Sequence, residues 1–269
     1  MATRANLMEH TFVICAYGDS PFLEACIQSC LNQLSVKSNH SKVVLYTSTP
    51  SDQIEILCQR YQIELFVKRG GGIGIDWNNA LSVVDTKYAT IVHQDDLYLP
   101  EYGEAVLSEF EQQVDLNLVF TDYCENDAQG QFRPRHLNLK IKTFGLRLMS
   151  LFQNKAYQRR IYAFGNFICC PAVSYNLERL SDFQFNSSLK MVVDWDAWER
   201  IMKRQGKVKF ISKQLMVHRI HEDSETTANT ENQNREVEEF MMYQRYWPKP
   251  MVKLLMKYYV KNQKANGKT

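Results

Sequence analysis

The chain predicts an α/β fold: a mostly parallel central sheet with helices on both faces and a helical appendage at the C-terminus. Three observations carry this. Over residues 11–123, short apolar runs rich in strand formers alternate with stretches of helical spacing. Polar or acidic residues gather directly after those runs. From Phe240 onward there are seven Lys or Arg and no Asp or Glu, which sets the end of the chain apart.

TFVICAY (Thr11–Tyr17) is the first expected strand. In GDSPF, Asp19 or Ser20 is the N-cap and Pro21 takes the first helical turn. Phe22, Ala25, Cys26, Leu31 and Leu34 continue at near-helical spacing. KVVLYTS (Lys42–Ser48) is the second strand, and TPSDQIEILCQRY opens the second helix. IELFVK (Ile63–Lys68) is the third strand. RGGGIG is a loop and DWNNALSVV a short helix. YATIVH (Tyr88–His93) is the fourth strand. LPEYGEAVLSEFEQQ is a helix begun by Pro100, and LNLVFTDY (Leu116–Tyr123) is the fifth strand. After Tyr123 the alternation breaks. A helix is expected over about 143–160, a strand in FGNFICCPAVSYN up to Pro171, and a helix in VVDWDAWERIMKRQG ended by Gly206. KVKFISKQLMVHRIH reads as strand and HEDSETTANTENQN as a polar loop. The remainder of the chain reads as helix interrupted at Pro248 and Pro250. There is no internal repeat.

Hydrophobic residues are 45% and charged residues 23% of the 269, which matches a soluble globular chain. No apolar run reaches the roughly 18 residues needed to span a bilayer. MATRANLMEH lacks the pattern of a signal peptide, so a cytoplasmic protein is expected. The seven cysteines are scattered. Cys26 and Cys30 are one turn apart, but no second pair completes a zinc set. They read as free thiols in a reducing compartment. Net charge is +2, so the seven terminal cations leave −5 on the rest. That argues against nucleic acid as a partner of the body and for an anionic partner of the tail. In MVKLLMKYYVK, Lys253, Lys257 and Lys261 stand one turn apart on a basic amphipathic helix. Such a helix either docks on the body, oligomerises, or lies on an anionic membrane surface as a peripheral contact.

In parallel α/β sheets ligands bind beyond the carboxyl ends of the strands. Tyr17, Ser48 and the pair Asp95–Asp96 all come after strands and should share one rim. The carboxylate pair reads either as a helix N-terminal pair or as a site for Mg²⁺ or Mn²⁺, completed by phosphate oxygens of a ligand. RGGGIG has the wrong spacing and position for a dinucleotide fingerprint, and serves as a loop that lets backbone approach a ligand. Asp194 and Asp196 start a helix beside Trp195 and Trp198. They read as caps or, for one of them, as a general base against an apolar wall. His218 and His221 are three apart. In a strand they would face opposite ways, so one at most is expected to meet the site. Tyr17, Trp77, Trp195 and Trp198 offer flat apolar faces for a ligand, or belong to the core.

Together these stretches resemble the family 2 glycosyltransferases with the GT-A fold, over roughly residues 11–225. TFVICAYGDSPFLEACIQSCLNQ resembles the family's opening strand and helix, which implies a nucleotide contact at Ala16, Tyr17 and Asp19. GIGIDWNNAL resembles its segment facing the nucleotide-sugar, with Asp76 and Asn78. IVHQDDLYLP is similar to the DxD segment: His93 stands at the first Asp, next comes Gln94, and the metal-binding Asp falls on Asp95. VVDWDAWERI resembles the Glu-Asp segment, with Val193 at the Glu and the catalytic base at Asp194. VHRIHEDSET resembles the Arg-x-His segment, which makes His221 a metal ligand beside Asp95 and Asp96. YTSTPSD replaces the loop that reads the base, leaving Thr47, Ser48 and Thr49 as hydrogen-bonding groups. Trp195 and Asp196 fall towards the acceptor.

The resemblance implies a Rossmann-like GT-A domain over 1–225. Its nucleotide-sugar half covers about 11–123, its acceptor half about 124–225, and a basic helical tail covers 226–269. It implies inverting, metal-assisted transfer from a nucleotide diphosphate sugar, a UDP-sugar first. The acceptor would be a hydroxyl of a glycan, glycoprotein or lipid-linked molecule in bacterial surface polysaccharide or glycoconjugate synthesis. The cofactor would be Mn²⁺ or Mg²⁺. The basic, aromatic stretch 133–162 would flank the acceptor groove. Two other readings stay open. A nucleotidyltransferase normally carries a basic Gly-rich loop after its first strand, and AYGDSPF has no basic residue. A non-catalytic subunit that binds nucleotide-sugar would account for His93 and Val193.

Overall fold

HTFVICA is a run of strand formers with no polar alternation, as expected of a strand buried on both faces. It forms β1 (His10–Ala16), on which the sheet is built. The computed structural model describes residues 8–221 and 233–266, of which 233–234 and 258–266 are described through the backbone alone. After β1 come α1 (Leu23–Leu31), α2 (Leu34–Lys37), β2 (Ser41–Thr47), α3 (Asp52–Tyr61), β3 (Glu64–Val67), α4 (Ile73–Ser82) and β4 (Tyr88–His93). Next are β5 (Leu97–Tyr98), α5 (Tyr102–Gln112), β6 (Leu116–Asn126), α6 (Leu137–Ser150), α7 (Lys155–Tyr162) and β7 (Val173–Asn176). The remaining elements are α8 (Val193–Lys203), β8 (Lys207–Arg219), α9 (Gln233–Gln244) and α10 (Lys249–Asn266).

One eight-stranded sheet has the order β3-β2-β1-β4-β7-β6-β8-β5. β1, β2, β3 and β4 are mutually parallel, as are β6 and β8. β7 runs antiparallel to β4 and β6, and β5 antiparallel to β8. Helices cover both faces. Phe12, Ile14, Leu45 and Val92 pack on one side, Val13, Val44, Tyr46 and Ile91 on the other, as the two-residue period of a strand requires.

The structure departs from the sequence expectation in four places. The strand expected up to Pro171 lies after it: Cys170–Ala172 form a 3₁₀ turn and β7 begins at Val173, since proline has no N–H for a central ladder. The helix expected at 143–160 is two, parted at residues 151–154, with the Asn154 Oδ1 accepting the Tyr157 N–H to start α7. α1 starts after Phe22, while the Ser20 hydroxyl accepts the Phe22 N–H instead of capping a longer helix. β5, only two residues long, left no periodic signal. It pairs Leu97 with Val217 and Tyr98 with Met216, which brings Asp95 and Asp96 against the end of β8.

The tail is bound to the body. Val252 on α10 is fully buried, Leu255 and Met256 pack against the core, and the Trp247 indole N–H donates to the Ala163 carbonyl at 2.8 Å. Lys253 and Lys257 lie on its exposed side. On α9, the Glu238 carboxylate accepts the backbone N–H groups of Lys190, Met191 and Val192 at 2.7–3.2 Å. It therefore caps α8, whose Val192 cap has no side chain for the task. The expected boundary at 225/226 and the polar loop after His221 lie outside the described residues.

Candidate active site

The ends of β1, β2 and β4 form one rim, tied loop to loop. The Gln94 side chain accepts the Tyr17 N–H at 3.0 Å and donates to the Tyr17 carbonyl at 2.9 Å. The Gly18 N–H donates to Thr49 Oγ1 at 2.7 Å, and the Ser51 hydroxyl donates to the Asp19 carboxylate at 2.5 Å. Gly18 has φ +60°, a conformation cheap only for glycine. Thr47 is fully buried and spends its hydroxyl on the Thr49 N–H. A Cβ on Gly70 would stand 2.5 Å from Ser48 Cβ and from Asp76 Oδ1, so the glycine loop is needed for that close approach. Asp76 accepts the Tyr46 hydroxyl at 2.8 Å. The Tyr17 ring, 66% exposed, stands out over this rim.

The two adjacent carboxylates divide. Asp95 is partly open: its Oδ2 is 3.2 Å from His221 Nε2, its Oδ1 accepts the Ser20 hydroxyl at 3.4 Å, and its carbonyl accepts Arg219 Nε–H at 3.0 Å. Asp96 is buried. Its Oδ1 pairs with His218 Nδ1 at 2.9 Å and accepts the Arg219 N–H at 3.0 Å. Burial favours a protonated Asp96, but the charge and hydrogen bond of His218 outweigh it and hold the carboxyl below its ordinary range. Burial likewise lowers His218, and the Asp96 charge overrides it and raises the imidazole. Both histidines thus meet the carboxylates, against the expectation that one at most would. His221 lies beyond the end of β8, where strand alternation no longer applies. Phe22 walls this corner, with the Arg219 guanidinium 4.6 Å and the His221 ring 4.8 Å from its centroid.

His93 turns inward. It stacks on Trp77 at 5.5 Å and reaches Asp96 Oδ2 only at 4.0 Å, and its buried Nε2 has no hydrogen-bond partner among the described residues. Burial lowers its pKa against the pull of Asp96.

Asp194 sits in the first turn of α8. Its Oδ1 accepts the Trp195 N–H at 2.7 Å, and its Oδ2 accepts Asn166 Nδ2–H at 2.6 Å. Asn166 is in turn held by the Tyr162 hydroxyl. Burial raises the Asp194 pKa in spite of these bonds. The Cys169–Cys170 segment connects the two carboxylate sites: after burial, the charges of both Asp96 and Asp194 help raise each thiol. All seven cysteines are free. Lys142 on α6 stands within electrostatic reach of Asp194 and His218, and makes no ion pair among the described residues.

Several residues placed at the site by sequence face elsewhere. Both ends of the Asn78 amide are spent on the Phe185 backbone, at 2.7 and 3.0 Å. Ala16 is buried at the end of β1. Trp195 is 2% exposed and packs edge-on to Tyr243, and Trp198 lies in the core. Asp196 is ion-paired to Arg200 at 2.8 Å and Arg245 at 2.7 Å. Trp195 and Asp196, expected towards the acceptor, lie on the core side of α8. Sequence reasoning missed Ser20, Phe22, Lys142, Asn166 and Arg219 at the site. Only Lys142 left a trace, in the basic run of 133–162.

Among the described residues no group of three His, Cys, Asp or Glu forms a metal cage, and no helix is long and apolar enough to cross a membrane. No curated protein matches the chain. Solved structures do. The mannosyltransferase PcManGT from Pyrobaculum calidifontis, in complex with GDP-Man and Mn²⁺, has a TM-score of 0.63 at 13% identity, over 94% of this chain and 69% of that one. Residues 1–349 of S. aureus TarS give 0.62 at 14% identity, over 93% and 69%. The same fragment in complex with UDP-GlcNAc gives 0.62 at 13%, over 95% and 72%. At such identities the likeness speaks for the fold, which is GT-A. The model of glycosyl transferase family 2 matches residues 11–178, more than half of the chain, and the protein belongs to that family.

Proposed function

We propose that this glycosyltransferase is inverting and metal-assisted, and moves a sugar from a UDP-sugar to an acceptor hydroxyl in bacterial surface polysaccharide or glycoconjugate synthesis. The observation that carries the reading is a division of labour between two carboxylate sites that share the Cys169–Cys170 segment. Asp95 is paired with an imidazole at 3.2 Å, while Asp194 is desolvated against a neutral amide.

The first pair fits a divalent ion. Hard divalent ions such as Mn²⁺ and Mg²⁺ take one or two carboxylates and leave their other positions to phosphate and water. Asp95 Oδ2 and His221 Nε2 would hold it. Asp96 belongs behind the ion as the residue that fixes His218, Arg219 and the 95–96 turn. When bound, the ion would stabilise charge on the leaving diphosphate.

The residues of the chain do the rest. Tyr17 offers a stacking face for the base, with the Ser48 hydroxyl and Asp76 beside it. Asp194 takes the acceptor proton as the hydroxyl oxygen bonds to the anomeric carbon and the bond to the diphosphate breaks on the opposite face. Each Asp194 oxygen accepts one fixed hydrogen bond and keeps a lone pair, so the base is oriented but not consumed. Its raised pKa makes it a better proton acceptor than an exposed carboxylate. Lys142 adds positive charge on the α6 side. Release of UDP from a panel of UDP-sugars and acceptors, with and without Mn²⁺, tests this reading. It fails if Asp95→Asn and Asp194→Asn both keep full transfer.

The inward turn of His93 onto Trp77 and Asp96 favours a second reading, a non-catalytic subunit that binds nucleotide-sugar. Thermal stabilisation by UDP without transfer or hydrolysis of any donor would select it. Family membership leaves the nucleotidyltransferase reading without support.

A further inference from the structure

We propose that the outer face of α6 is the surface on which this protein docks to an anionic lipid bilayer. Residues 128–177 contain eight Lys or Arg and no Asp or Glu. Two of the eight, Arg135 and Arg159, are paired with Asp122 and Glu199. Arg133, Lys140, Arg147 and Arg160 are exposed and form no ion pair among the described residues.

The apolar pattern beside them is inverted relative to an ordinary surface helix. Leu137, Ile141, Phe144 and Leu151 are 50–71% exposed, and so are Phe132 just before α6 and Phe152 just after it. Positions 137, 141, 144 and 151 fall on one stripe of an α-helix, with Lys140 and Arg147 along its edge. The opposite stripe holds Leu139, Leu146 and Met149, which are buried. A helix with an apolar stripe outward and cations along its rim has the makings of an interfacial helix, whose apolar side chains enter the acyl boundary while Lys and Arg meet anionic headgroups.

Charge decides between the occupants. A second copy seated on the same patch by two-fold symmetry would bring these unpaired cations together, with no carboxylate in 128–177 to receive them. An anionic bilayer satisfies both the apolar and the basic half. Among its described residues the tail offers less apolar surface: Val237, Met241, Met251 and Leu254 are exposed, 43–60%, while Val252 is buried and Leu255 and Met256 pack on the body. Lys142 on α6 is also within electrostatic reach of Asp194. A bilayer on its outer face would lie about one helix diameter, roughly 10 Å, from the Lys142 side of α6, where a lipid-borne acceptor hydroxyl could approach Asp194. That last step rests on the transferase reading; the docking does not.

The test is sedimentation of the full chain with vesicles of phosphatidylcholine alone and of phosphatidylcholine with phosphatidylglycerol. The wild type is expected to bind only the anionic vesicles, less at high salt. Ile141→Ser with Phe144→Ser, and separately Lys140→Glu with Arg147→Glu, are each expected to weaken binding about tenfold or more. Lys253→Glu with Lys257→Glu is expected to change it less than about twofold. All substituted side chains are exposed, and unchanged melting curves verify folding. The proposal is overturned if the wild type ignores anionic vesicles, if the α6 variants bind like wild type, or if only the tail variant loses binding. It is also overturned if light scattering shows a dimer that Ile141→Ser with Phe144→Ser dissociates. Stabilisation by UDP-sugar, measured on the same variants, reports on the transferase reading separately.

Discussion

Asp95–Asp96 and Asp194–Asp196 are built alike and used differently. In each pair the later carboxylate is almost wholly buried and answered by cations: His218 for Asp96, Arg200 and Arg245 for Asp196. The earlier one is only partly buried. There the likeness ends. Asp95 looks at an imidazole, so positive charge can gather beside it. Asp194 looks at the amide of Asn166 and a backbone N–H, so its charge is held by dipoles alone and its pKa rises with burial. One fold thus sets one carboxylate against an imidazole nitrogen and desolvates the other, which makes that one the better proton acceptor. The buried partner in each pair anchors the less buried one.

The largest test of this contrast is Asp194→Asn. Loss of a general base costs about 10²–10⁴-fold in kcat. In the wild type, kcat/KM should climb with pH through an acid limb placed above the ordinary carboxylate range, and the variant should lack that limb. Stability supplies the second half. The folded pKa of Asp194 lies above its unfolded value, so its contribution is most favourable below the unfolded pKa and falls as pH rises through the folded one. The melting temperature of wild type minus that of Asp194→Asn should therefore shrink from acid to neutral pH. A gap that widens with pH would contradict desolvation as the cause.

His218→Ala comes next, and it should act on folding rather than on chemistry. It leaves Asp96 buried without its counter-charge, at a cost of about 3–5 kcal/mol in urea unfolding. A loss under about 1 kcal/mol would mean that the Arg219 N–H alone suffices for Asp96. His221→Ala is expected to spare stability, and to raise the Mn²⁺ concentration for half-maximal activity about 10–100-fold. If the metal requirement is unchanged, Asp95 does not share an ion with His221.

How far these roles could be read from sequence depends on the distance to the deciding partner. β4 was legible to the residue, since YATIVH is an apolar run bounded by polar residues. The rim was legible too, because ligand loops come after parallel strands whatever their detail. Which Asp of each pair is buried was not. That is settled for Asp96 by His218, 122 positions away, brought in by a two-residue strand too short to leave a pattern. For Asp196 it is settled by Arg245, beyond the catalytic region as sequence divided it. Trp195 looked like an acceptor wall because aromatic residues beside a carboxylate suit both sugar and core. Only the packing of α8 against Tyr162 and Tyr243 decides between them.

The smallest effect concerns Gln94, next to Asp95 and expected from sequence to contact the nucleotide-sugar. Its amide is already engaged at both ends by the Tyr17 backbone, at 3.0 and 2.9 Å. Its expected effect on a donor is through the loop that carries the Tyr17 ring, which this clamp holds. Removing the clamp in Gln94→Ala costs roughly one net hydrogen bond of order, about 1 kcal/mol, in the state that binds. The donor KM should rise about fivefold while kcat stays unchanged, the signature of lost binding that is equal in ground and transition states. Initial rates over a range of donor concentrations separate the outcomes. A matching fall in kcat would show Gln94 leaving Tyr17 to touch the reacting sugar, and would place it with Asp95 rather than with the buried anchors.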